Sequence, residues 1–215
     1  MRDYTTIDWS QDPPTEADLR LAFVQSGVHV RPLDPRIARV QALFHEDRTS
    51  ARMAAAQFDL DLDPAYVFYL QRNRLPETLF FYELFRSLAF LEGVPDAGAL
   101  HWSPATPNDS WEGRMIGQGQ GLKLVDGWGA FASLAGWIRK GGIHRLEATP
   151  TDRRALSLTL GVARAAFSGQ MSQGSCYWGS APWCEWFDFE GFDTTLVFID
   201  HRTGVATVIL LTDGP

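Results

Sequence analysis

The densest gathering of chemically capable side chains lies between Trp178 and Glu190. Trp178, Trp183, Trp186 and Phe187 are interleaved there with Glu185, Asp188 and Glu190. Aromatic faces beside carboxylates suit a cationic ligand or an Arg/Lys-rich partner surface. An ordinary packed hairpin with solvated acids would use the same residues. Elsewhere the chemistry thins out. His29, His101, His144 and His201 stand singly, and His45-Glu46-Asp47 reads as a solvated helix end. No His-Glu-x-x-His or Gly-x-Ser-x-Gly pattern occurs, so neither a zinc protease site nor a nucleophile elbow is expected. Gly117-Gln118-Gly119-Gln120-Gly121 lacks the Gly-Lys-Ser/Thr ending of a phosphate loop and reads as a turn. The pattern calls for no cofactor and no metal.

The elements that must position these residues come from the patterning. Thr194–Ile199 and Val205–Leu211 are apolar, β-branched runs without polar alternation, joined by Asp200-His201-Arg202-Thr203-Gly204. They predict a tight antiparallel hairpin closing on a left-handed Gly, with both strands buried on both faces. Cys176-Tyr177-Trp178, a loop at 179–182 and a strand from Trp183 to Phe189 predict a second hairpin feeding the first. The outcome is a four-stranded meander. In that register Trp178 faces Trp183 and Cys176 faces Glu185, which puts Cys176 and Cys184 on opposite sides and predicts free thiols.

Upstream, helices are expected over 16–25, 35–46 (opened by Asp34-Pro35), about 49–57, 76–92, 129–140 and 151–167, the last ended by Gly169. Val28-His29-Val30 is a short extended piece. Residues 94–128, rich in Gly and Pro, form a long loop region with short strands near Met115-Ile116 and Leu122–Val125. The fold class is therefore α+β, with N-terminal helices followed by a C-terminal antiparallel β-meander. An irregular arm covers 1–14. A single domain covers 15–215, with a helical part at 15–92 and helices plus sheet at 129–215.

Net charge is −7 over 215 residues, which argues against nucleic-acid backbone binding and is compatible with a small-molecule ligand, neutral or cationic, or a basic protein partner. Ala51–Pro76 has the outline of a helix-turn-helix, but its second half is aromatic and follows three aspartates, so it does not suit DNA. With eight Trp and fourteen Phe the chain is rich in aromatics. Most of these belong to a core, and the surplus Trp lines a pocket or interface. No apolar run is long enough to span a membrane. The residues after Met1 have no apolar signal core, which gives a cytoplasmic expectation.

Gly191-Phe192-Asp193-Thr194-Thr195-Leu196-Val197-Phe198-Ile199-Asp200, followed by Gly204 and Leu210-Leu211-Thr212-Asp213, resembles the last strand pair of the β-lactamase-like (penicillin-recognising) serine hydrolases. Pro104–Arg114, with Trp111, Gly113 and Arg114, resembles a Pro-Thr…Asp-x-Trp-x-Gly-Arg segment of that family. Gly127–Phe131 is similar to the helix start that follows it there. The resemblance covers about residues 100–213. It implies a pocket beside the strand at 189–199 and a Ser-x-x-Lys nucleophile. No serine here has Lys three residues on, because Lys123 and Lys140 are the only lysines. The nearest match is Ser50-Ala51-Arg52-Met53, which makes Ser50 a weak catalytic candidate, since Met53 is no base. The family's Tyr/Ser-x-Asn is missing, and Phe189-Glu190-Gly191 stands where His/Lys-Thr-Gly would fall. The resemblance thus implies a shortened, catalytically degenerate relative that keeps a ligand pocket. The rival expectation is a non-catalytic acidic binding protein, of inhibitor or immunity type, that caps a basic partner.

Overall fold

The computed structural model describes residues 27–46, 51–61, 81, 84–85, 87–94, 122–140, 151–180, 186–187 and 193–213. Among them, six strands form one antiparallel sheet: β1 (Val28–Arg31), β2 (Ala51–Leu60), β3 (Lys123–Val125), β4 (Gly174–Gly179), β5 (Thr194–Asp200) and β6 (Val205–Asp213), in the order β1-β2-β6-β5-β4-β3. The helices described are α1 (Pro35–Glu46), α2 (Leu88–Gly93), α3 (Gly127–Lys140) and α4 (Asp152–Phe167).

The β5–β6 hairpin forms as its residues require. Every residue of both strands is buried. Gly204 turns at φ +70°, where only Gly sits without strain. Asp200 Oδ1 braces the turn by accepting from Arg202 N (2.9 Å) and Thr203 N (3.3 Å). Cross-strand pairs run from Asp200↔Val205 to Thr194↔Leu211.

One sheet face packs under Phe81, Leu84, Phe85 and Phe90, with Phe58, Tyr177, Val197 and Val208 from the strands. The other face carries Met53, Leu196, Phe198, Ile209 and Leu211. It lies under Ile37, Val40 and Phe44 of α1, Phe131 and Leu134 of α3, and Val162 and Phe167 of α4. This double coverage is why the hairpin strands show no alternation.

Local capping sets the helix ends. Asp34 Oδ1 accepts from Arg36 N at 2.9 Å, and Asp34 O accepts from Ile37 N and Ala38 N, which starts α1 at Pro35 as the sequence signals. Thr151 Oγ1 accepts from Arg154 N at the head of α4. Ser168 (φ +48°) and Gly169 (φ +85°) end that helix in left-handed geometry.

Four expectations need correction. The fold is α+β, but among the described residues a strand comes first, and β1 and β2 join the sheet beside β6. The N-terminal part is therefore not helical alone. Residues 51–57 are strand rather than helix. Ala54-Ala55-Ala56 has helical propensity, but the segment is filled in between β1 and β6 (Ala55↔Ile209, Phe58↔Ala206), and pairing outweighs propensity. The long helix expected over 76–92 is interrupted at Ser87, which takes extended geometry (ψ 144°). Its Oγ accepts from Phe90 N to start α2 afresh. Lastly, β4 does not pair with a strand at 183–189. It pairs with β5 (Trp178↔Leu196) and β3 (Trp178↔Lys123), and Trp186-Phe187 lie in a turn and bend.

The arm at 1–14, the helix over 16–25 and the strand at Met115-Ile116 lie outside the described residues. Among the described residues, no helix is long and apolar enough to cross a membrane.

Candidate functional site

Of the residues singled out between 178 and 190, the structure describes Trp178, Trp186 and Phe187, the last buried against the Trp186 ring. Trp178 is half-buried and packs with the α1/α3/α4 cluster. Trp186 is 7% exposed and belongs to the cluster on the opposite face. The sheet therefore separates the two indoles. A cation does lie over the Trp186 ring: the guanidinium of Arg52 on β2, 5.5 Å from the ring centroid. Arg52 Nη2 also donates to Trp186 O at 3.3 Å. Ser50, Trp183, Glu185, Asp188 and Glu190 lie outside the described residues, as does Cys184. Cys176 is a free, buried thiol. Burial, with Asp126 nearby, pushes it up to about 12, so it is an inert core group. The register that predicted free thiols does not form, because Cys176 stands opposite Phe198 and Val125.

Sequence reasoning missed a serine–histidine contact. Pairing of Gly174 with Asp200 brings the start of β4 to the end of β5. Ser175 Oγ and His201 Nε2, 26 positions apart, then share a hydrogen bond of 2.8 Å. The distance suits a nucleophile and its base, but the surroundings do not. Ser175 is 2% exposed. Burial lowers His201 to about 4, against a smaller opposing effect of the Asp200 charge, so the imidazole is a poor base near neutral pH. Asp200 does not orient the imidazole, since its Oδ1 is committed to the turn amides and its Oδ2 makes no hydrogen bond among the described residues. His201 N donates to Gln173 O at 3.0 Å. The pair pins the β5–β6 turn to β4.

This contact has a pH signature. The His201 pKa is lower folded than unfolded, so the unfolded chain binds the extra proton first. Stability from this group is complete above about 6.5 and is lost as pH falls toward about 4. Replacing His201 by Gln should flatten the denaturation midpoint across that window relative to the parent. Equal slopes in the two proteins would show that His201 is not the group responsible.

The described residues also frame a cleft of about 740 Å³ between β1, the head of α1 and the tail of α4. Its floor is Gln57 of β2, 3% exposed. Gln57 Oε1 accepts from Asp34 N (2.9 Å), and its Nε2 donates to Thr207 Oγ1 (3.0 Å). One buried amide thereby ties helix α1 to two central strands. Arg31, Arg36 and Arg164 line the walls. Arg36 makes a two-point contact with Asp34, Nε to Oδ1 at 2.9 Å and Nη2 to Oδ2 at 2.7 Å. That contact holds the Asp34 carboxyl below its ordinary value. Arg31 Nη1 reaches Asp59 Oδ1 at 3.0 Å. Arg164 has no ion pair among the described residues. No sequence motif announced this grouping, whose members come from four separate segments. Among the described residues, no cluster of three His, Cys, Asp or Glu is placed to hold a metal ion.

No family model, curated protein or solved structure matches the chain.

Proposed function

We propose that this chain is a shortened relative of the β-lactamase-like serine hydrolases that binds a small molecule and has lost acyl transfer. The observation that carries the reading is a scaffold that combines a ligand-sized cleft, framed by β1, α1 and α4 rather than by the strand at 189–199, with a separate serine–histidine pair that is closed off. A cleft of about 740 Å³ falls within the roughly 300–1,000 Å³ typical of ligand pockets. Ser175, by contrast, is buried beside a histidine too weakly basic to activate it. The lysines support the same view. Lys140 lies exposed at the end of α3. Lys123 starts β3, four strand places from β2, the strand that follows Ser50. At ~4.8 Å per place that is about 19 Å, whereas a base must approach the hydroxyl to about 3 Å. The rival reading, an acidic protein capping a basic partner, is less favoured. Of its described tryptophan anchors, Trp178 is half-buried against the α1/α3/α4 cluster, and Trp186 is buried and already faces Arg52.

The test is covalent trapping. After incubation with a penicillin, and separately with a small activated ester, the intact chain should show no added mass. A stoichiometric adduct that disappears in Ser50→Ala would establish a living acyl-transfer site and overturn the proposal.

A further inference from the structure

The arginine-lined cleft supports a conclusion independent of that resemblance. Three guanidiniums line one opening, and the described carboxylates satisfy them only in part. Asp34 engages two nitrogens of Arg36. Arg31 gives Nη1 to Asp59, whose side chain is 56% exposed, while the Arg31 Nε is shielded from water and has no acceptor among the described residues. Arg164 stands exposed on α4 with no ion-pair partner among the described residues. Each guanidinium carries five N–H donors and no acceptor, so the walls hold a surplus of charged donors. The backbone contributes little of this. Pro35 has no N–H, and the amides of Arg36, Ile37 and Ala38 are spent on Asp34. The tail of α4 brings partial negative charge from its last carbonyls, which Arg164, in the final turn, offsets. The floor is fixed, because Gln57 is committed at both ends to Asp34 N and Thr207. A chain of net charge −7 does not collect anions indiscriminately, so an anion that settles here is selected by these side chains.

We infer that the cleft formed by Arg31, Arg36, Gln57 and Arg164 is a binding site for a small molecule bearing an oxyanion, a carboxylate or a phosphate. Arg164 supplies the uncommitted charge. Arg31 supplies further donors at the β1 wall. The Asp34–Arg36 pair holds the mouth of α1 in place. Guanidinium forks match both oxyanions in two-point geometry.

The site is tested on the ¹⁵N-labelled full chain by titrating inorganic phosphate and, separately, acetate near neutral pH, with ionic strength held constant by chloride. Saturable shifts of the Arg31 and Arg164 Nε–H signals are expected with at least one of the two. Phosphate alone would define a phosphate ligand, and acetate alone a carboxylate. Arg164→Ala lies on the surface and leaves the core intact. It should weaken binding at least about tenfold, as loss of a charge-assisted hydrogen bond does, with Arg164→Lys in between. Arg31→Lys keeps a cation for Asp59 but removes the planar guanidinium fork, and should also weaken binding. Absence of saturable shifts with both anions, or unchanged affinity in Arg164→Ala, would overturn the inference. Neither result bears on covalent trapping at Ser50, so the two proposals fail separately.

Discussion

Replacing Phe198 by alanine is expected to cost about 3–5 kcal/mol of folding stability, the range for emptying a buried Phe position. Phe198 sits at the middle of β5 with 0% exposure. Its ring stacks on Phe131 of α3 with centroids 4.8 Å apart and planes 5° from parallel. It also meets Phe167 of α4 edge-on at 5.9 Å and 84°. Phe131 and Phe167 themselves cross edge-to-face at 6.1 Å. The three rings thus lock two helices onto one strand, and each pair adds something beyond its buried area. The cavity left by alanine has no easy way to close. β5 is held by β4 and β6 on either side (Cys176↔Phe198↔Thr207), and a helix cannot sink toward the sheet without breaking its other contacts. Since a domain of this kind keeps only about 5–15 kcal/mol in all, the variant should unfold at a much lower urea concentration with an unchanged m-value. A loss below about 1.5 kcal/mol would mean that α3 and α4 collapse into the gap.

Gly174→Ala should be nearly as damaging, for the opposite reason. Gly174 is extended (φ −142°, ψ 166°), a conformation any residue adopts, so backbone freedom is not what the position needs. It needs an absent Cβ. An added methyl would fall on the Phe167 ring and 2.8 Å from Ile199 O. The carbonyl belongs to β5 and cannot retreat, and the ring is wedged between Phe131 and Phe198. Overpacking costs about 1–3 kcal/mol where neighbours yield and more where they do not, so a loss of about 3 kcal/mol or more is expected from chemical denaturation. The Phe167→Ala background supplies the control. There the same glycine substitution should cost less by the share that the ring contributes, with only the contact to Ile199 O left, a coupling that a double-mutant cycle reads directly. Additive losses would place the clash elsewhere.

The contrast between these two positions shows how far the sequence alone reaches. Phe198 was legible. It lies in an apolar, β-branched run ending at Asp200…Gly204, and burial of both faces follows from the missing alternation. The same local physics placed α1 after Asp34-Pro35 and closed α4 between Thr151 and Gly169, because caps and left-handed turns are decided within a few residues. Gly174 was not legible, since its requirement comes from a ring on another element. β2 was misread for a related reason: three consecutive alanines carry a helical preference too small to survive between two strands. The partner of β4 is not legible either, because the run at 183–189 is nearer in sequence than the strands that β4 pairs with. The true neighbours are a strand 14 residues beyond the end of β4 and the strand at Lys123–Val125, with α3 and α4 between. The sites follow the same rule. Ser175 meets His201 only through the β4–β5 register. Arg31, Arg36, Gln57 and Arg164 share a cleft only because β1 and β2 pair and α1 and α4 pack on the same face. Caps, turns and the burial of a single run are written in consecutive residues. Which distant side chains meet is settled by pairing and packing across the whole chain, and that part the tertiary structure decided.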